Sequence, residues 1–123
     1  MNARKNVKLV FVCSGTADVG ELTDLAARHM KRNNLAAMSC LASIAARDPD
    51  ITLNAQLAEK ILVIDGCPKK CASKTFRDAG FHKFLQFDLS QIGLIKGKSS
   101  PNSENVQAVV KKGLELFDQT KSD

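Results

Sequence analysis

Ile61-Leu62-Val63-Ile64-Asp65-Gly66-Cys67-Pro68 decides the fold of this 123-residue chain. Four apolar residues run without a polar interruption, as strands buried on both faces do. Asp65-Gly66 breaks the run. Pro68 suits the first turn of a helix, where an N–H would be unpaired anyway. A buried strand, a break, a cysteine and a helix start within eight residues make a βα unit.

The same unit recurs outward from this stretch. Upstream, Val7 to Val12 is a second apolar run that ends at Cys13 and reads as β1. Asp18, with Glu21 three residues on, reads as a helix N-cap in a capping-box arrangement. Val19, Leu22, Leu25, Ala26 and Met30 then keep helical spacing to about Arg32. Asn33-Asn34 interrupts, and Leu35 to Met38 is a weak β2 with Cys40 at its end. Asp48-Pro49 opens a short helix to Glu59. Ile61 to Ile64 is β3. The helix expected from Pro68 carries Ala72, Phe76 and Ala79 on one side and stops at Gly80. Phe84 to Phe87 is β4. Asp88 to Asn102 reads as a loop with, at most, a helical turn. Ser103 is placed to cap a last helix through Val106, Val109, Val110, Leu114 and Phe117, with Gly113 weakening it slightly. Thr120 to Asp123 is expected to fray.

Strand and helix therefore alternate four times, which predicts an α/β fold: a small three-layer sandwich around a four-stranded parallel sheet. The solid runs β1 and β3 belong in the centre and the poorer β2 and β4 at the edges. The order is then 2-1-3-4, a shortened flavodoxin- or Rossmann-like arrangement. A length of 123 residues makes this one domain, residues 1–123. The longest early apolar stretch, Leu9 to Val12, is too short for a membrane span or signal-peptide core, so a cytoplasmic location is expected. Clustered cysteines there more often bind metal or do redox work than form disulfides. The net charge of +5 is spread along the chain, and Trp and Tyr are absent. Stacking platforms would have to come from six core-like Phe, which argues against nucleic acid as a partner.

Cys13, Cys40 and Cys67 are spaced 27 residues apart, and Cys71 follows Cys67 by four. About 30 residues is the length of a βαβ unit, so the first three fall at the carboxyl end of successive strands. That edge, between β1 and β3, is where open α/β sheets bind ligands. Adjacent strands lie about 4.8 Å apart. Thiolates around one zinc ion, each about 2.3 Å from it, lie about 3.8 Å from one another. Small loop adjustments close that gap, and Cys71 can add the fourth ligand from the same helix face as Cys67. The helix N-terminus favours thiolates, and Lys69, Lys70 and Lys74 can offset the charge of a four-thiolate site or simply form a solvated face. The spacing C-x26-C-x26-C-x3-C is not that of a zinc finger or ribbon, and some of these thiols could equally be small buried hydrophobes. His29 and His82 fall toward the amino edge, away from the thiols.

Asp65-Gly66-Cys67-Pro68-Lys69-Lys70-Cys71 resembles the motif that gives the DGC-domain proteins their name. These small bacterial and archaeal proteins are described as zinc-binding. The similarity runs from β1 to Asp88-Leu89, and its four chelating positions fall on Cys13 in Val12-Cys13-Ser14-Gly15, Cys40 in Met38-Ser39-Cys40-Leu41-Ala42, Cys67 and Cys71. The chain departs from the pattern at Ser43, where a glycine-rich turn is expected. The resemblance implies Zn2+ held by these four cysteines and brings no cellular role, leaving metal or sulfur handling with an unidentified protein or small-molecule partner.

Two other readings stand beside it. Four cysteines also hold an iron–sulfur cluster, and Cys67 with Cys71 could form a redox dithiol, although C-x3-C is not the thioredoxin-like C-x2-C. Alternatively Cys13 is a nucleophile, since Cys13 to Gly20 is similar to the phosphate-cradling loop of small cysteine phosphatases. That loop needs an arginine six residues after the cysteine, where this chain has Val19.

Overall fold

The computed structural model describes residues 7–119. The expectation of fraying at Thr120 to Asp123 lies outside them. Its core is a four-stranded, wholly parallel sheet in the order β2-β1-β3-β4, as the apolar patterning requires. β1 (Lys8–Val12) lies between β2 (Ala37–Met38) and β3 (Lys60–Asp65), and β4 (Leu85–Asp88) closes the far edge. Val12 pairs with Ile64 and Asp65 with Asp88, so β1, β3 and β4 end nearly level.

Both sheet faces are covered, and alternate residues of each strand serve opposite faces. Val10, Val12, Leu62 and Ile64 pack under α1 (Asp18–Arg32) and α5 (Ser103–Gln119). Leu9, Phe11, Ile61 and Val63 pack under α2 (Leu41–Ala45), α3 (Pro49–Leu57) and α4 (Cys71–Asp78). On this second face Phe76 of α4 is fully buried, with its ring 4.6 Å from Phe11 and 5.4 Å from Phe84. Burial of one such side chain stabilises by about 2–3 kcal/mol, which pins α4 to the centre of the sheet. A Cβ on Gly113 would come within 2.6 Å of Met30 Cε, so this glycine marks the close approach of α5 to α1. No helix among the described residues is long and apolar enough to cross a membrane.

Several local expectations are corrected. α2 was not foreseen: Leu41–Ala45 follows β2 directly. The residue before α1 is Ala17, so Asp18 is inside the helix and does not cap it. Its carboxylate instead accepts the N–H groups of Gly97 at 2.9 Å and Ser99 at 3.1 Å. Asn102, not Ser103, caps α5 by accepting the Asn105 N–H at 2.9 Å. The helical turn expected in the segment after β4 is present as a short 3-10 turn, Leu89–Ile92, capped by Asp88. Asp48 does cap α3, accepting the Ile51 N–H at 3.0 Å with Pro49 in the first turn.

Candidate functional site at the carboxyl edge of the sheet

Pro68 does not open a helix. It lies in a turn closed by Lys70 N–H to Cys67 O at 3.1 Å, and α4 begins at Cys71. Lys70 precedes α4 with a left-handed φ of 56° and has no side-chain acceptor with which to cap it. The acceptor comes from the sheet. Asp65, at the end of β3, takes the N–H groups of Ala72 and Ser73 on one carboxylate oxygen, at 2.8 and 3.3 Å. Its other oxygen accepts from the Ser73 hydroxyl and from Gln86 Nε2 of β4, at 3.2 Å. These are the N–H groups that a capping side chain ordinarily satisfies. Cys67 and Cys71 therefore do not share a helix face: one sits in the turn and the other is the first residue of α4.

Cys13 reaches the same junction from β1. Its N–H donates to Ile64 O at 3.1 Å, and its carbonyl accepts from the buried Thr23 hydroxyl of α1 at 2.7 Å. The loop behind it is tightly folded. A Cβ on Gly20 would lie 2.8 Å from the Gly15 nitrogen, and one on Gly66 would lie 3.2 Å from Val19. The first turn of α1 thus packs against both the loop that precedes it and the loop after β3, which small residues at 20 and 66 allow.

Cys13 is half-buried, and burial pushes its thiol above the ordinary range. The Gly66 N–H, donating to the sulfur, pulls it back, while Asp65 and then the thiols of Cys71 and Cys67 push it further up. Cys67 and Cys71 are therefore both within electrostatic reach of Cys13. Cys40 stands apart. It is exposed at the start of α2, and the Ser43 hydroxyl, followed by the Ser43 and Ala42 N–H groups, draws its thiol below the ordinary range. Burial and the Asp48 carboxylate push it partly back up.

All four cysteines are free thiols. As donors they suit a thiophilic ion, since four thiolates are the ligand set of closed zinc sites. Among the described residues, no three His, Cys, Asp or Glu side chains are grouped closely enough to hold a metal ion as they stand. The chemistry of the set fits zinc, and its arrangement is open. His29 lies in the last turn of α1 and His82 is exposed before β4.

Sequence reasoning missed Ser43, Gln86 and Ser73 as parts of this edge. The signal for Ser73 was the interval from Asp65, which makes sense only once the helix is known to start at Cys71.

The chain matches the DGC domain over residues 9–112. It is 34% identical over 88 residues to the anaerobic and virulence modulator AnvM of Pseudomonas aeruginosa, a match covering 72% of this chain and 67% of that protein. No solved structure matches it significantly.

Proposed function

This chain belongs to the DGC-domain family, and on that premise we propose that it binds one thiophilic divalent ion, zinc, through the thiols of its carboxyl edge. The observation that carries the reading is the placing of Cys67 and Cys71, at the β3–α4 junction, within electrostatic reach of Cys13 at the end of β1. Cys40 is the fourth donor. Cys13, Cys40, Cys67 and Cys71 would hold the ion, which would cross-link their loops and offset part of the thiolate charge without leaving an open Lewis-acid position. The loop after Cys13 has Val19 where a phosphate-cradling cysteine loop needs an arginine, which favours metal binding over a Cys13-dependent enzyme. Free thiols suit a reducing compartment, consistent with a cytoplasmic protein. The name of the Pseudomonas relative is that of a modulator, so we read the centre as part of a protein that acts on a partner.

Elemental analysis of the freshly purified full chain tests this, alongside the variants Cys67→Ser and Cys71→Ser. The expected result is one tightly bound zinc per chain, lost in both variants together with a fall in melting temperature. Sub-stoichiometric metal, with all four thiols titrating freely in the native fold, overturns the reading. Visible absorption with bound iron replaces it by an iron–sulfur protein.

A further inference from the structure

Asp65 is wholly buried, and its carboxylate accepts from four donors, none of them a cation. Desolvating a carboxylate costs several kcal/mol, which these four donors must offset, whereas a neutral cap on an eight-residue helix carries no such cost. A Ser or Asn at position 70 would cap α4 from its own loop. Placing the acceptor in β3 does something a local cap cannot: it fixes the start of α4 to the sheet. Gln86 joins the same carboxylate, so β3, β4 and α4 meet on it.

The residues on either side of Asp65 hold Cys13. Ile64 O receives its N–H at 3.1 Å, and Gly66 lies close against Val19 and Gly20 in the first turn of α1, the helix that follows Cys13. Ile64-Asp65-Gly66 thus grips Cys13 of β1 with its backbone and the residues next to Cys71 with its one carboxylate. The span between Asp65 and Cys71 contains Cys67.

We propose that Asp65 is the positioning residue of the thiol centre, setting Cys71 against Cys13 by tying the N-terminus of α4 to the end of β3. The proposal deepens the zinc reading and rests on it for the identity of the ligand. Asp65 does not touch the ion; it acts through the place it gives Cys71.

The test uses the full chain as wild type, Asp65→Asn and Ser73→Ala, each checked for folding by far-ultraviolet circular dichroism. Zinc affinity is measured by competition with a chromophoric chelator. In metal-free protein, phenylarsine oxide, which bridges two neighbouring thiols with loss of water, reports the Cys13–Cys71 pair by peptide mass spectrometry. Cys40 alkylation serves as the control. Asp65→Asn is expected to lower zinc affinity about 10- to 100-fold, the range for partners that orient metal ligands. It should also reduce the Cys13–Cys71 bridged product severalfold, with Cys40 unchanged. Ser73→Ala should move both readouts the same way by less, and it decides the matter if Asp65→Asn fails to fold.

A merely structural Asp65 would lower the melting temperature and leave the bridging yield of the folded variant at the wild-type level. That result, or absence of the Cys13–Cys71 product in the wild type, overturns the proposal. Wild-type protein that bridges but takes no zinc overturns the zinc reading alone, and the loss of bridging in the variants then still supports Asp65 as the positioning residue.

Discussion

The β3–α4 junction and the β2–α2 junction each bring a cysteine to the carboxyl edge at the end of a strand, yet they are built differently. At the first, β3 is six residues long and central, and a buried carboxylate welds the following helix to the sheet. At the second, β2 is two residues long and at the edge, and Cys40 is exposed at the start of a five-residue helix. The same 27-residue interval in sequence therefore leads to different environments. Position in the strand order, not spacing, sets how far each thiol is withdrawn from water: Cys67 is half-buried and Cys40 is exposed.

The largest expected effect is on stability. Asp65→Ala strands Ala72 N–H, Ser73 N–H, the Ser73 hydroxyl and Gln86 Nε2, each a donor at or near the buried end of β3. Leaving a buried donor unsatisfied costs about 1–3 kcal/mol, so the total loss should be at least about 3 kcal/mol. Ser43→Ala, at the exposed junction, should cost within about 0.5 kcal/mol. Urea denaturation of both variants measures the contrast. Equal losses would break the comparison.

Thiol reactivity should differ next. At neutral pH, alkylation of metal-free protein is expected to be fastest at Cys40, whose thiol is drawn down, and slowest at Cys13, whose thiol is pushed up. Peptide mapping after a timed iodoacetamide pulse reads the order. Ser43→Ala should slow Cys40 severalfold and leave Cys13 alone. A Cys13 that reacts as fast as Cys40 would show that the two junctions are equivalent in solution.

The smallest effect concerns the segment that borders the well-built junction. Asp18 holds the Gly97 and Ser99 N–H groups, and these bonds keep its carboxyl below its ordinary value of 3.8. A group depressed on folding contributes stability above its unfolded pKa and loses it as pH falls through the folded one. The segment at residues 95–99 is therefore expected to be held at neutral pH and released only below the usual carboxylate range. Hydrogen exchange of the Gly97 and Ser99 amides at pH 7 and in acid measures this, with Asp18→Asn weakening the hold at both. Protection that is unaffected by either change would separate this segment from the junction.

Much of the fold was legible in the sequence. Ile61 to Ile64 and Leu9 to Val12 are continuous apolar runs because the strands are buried on both faces, and that patterning alone leads to the observed strand order. The helix starts were less legible. Pro68 favours a first turn locally, but the Asp65 carboxylate selects Ala72 and Ser73 as its partners and so begins the helix three residues later. Asp18 reads as a cap because nothing within its own segment shows that Gly97 and Ser99, about 80 residues on, compete for it. α2 was hidden because Leu41-Ala42-Ser43-Ile44-Ala45 buries only Ile44, too little to give a helical stripe. The candidate site was legible as a meeting of thiols at one edge. The separate setting of Cys40 was not, since it depends on Ser43 and on the shortness of β2.

The bond from Asp18 to Gly97 and Ser99 also bears on how the chain comes together in time. β1 has both of its neighbours once residue 65 has been made, and the junction at Asp65 closes on Ser73 and Gln86 soon after. Asp18 must wait for the last third of the chain, and contacts so distant in sequence form slowly because a long loop has to close first. The bonds of Asp18 to Gly97 and Ser99 thus close some of the longest loops, and all four cysteines precede both of these partners in the chain.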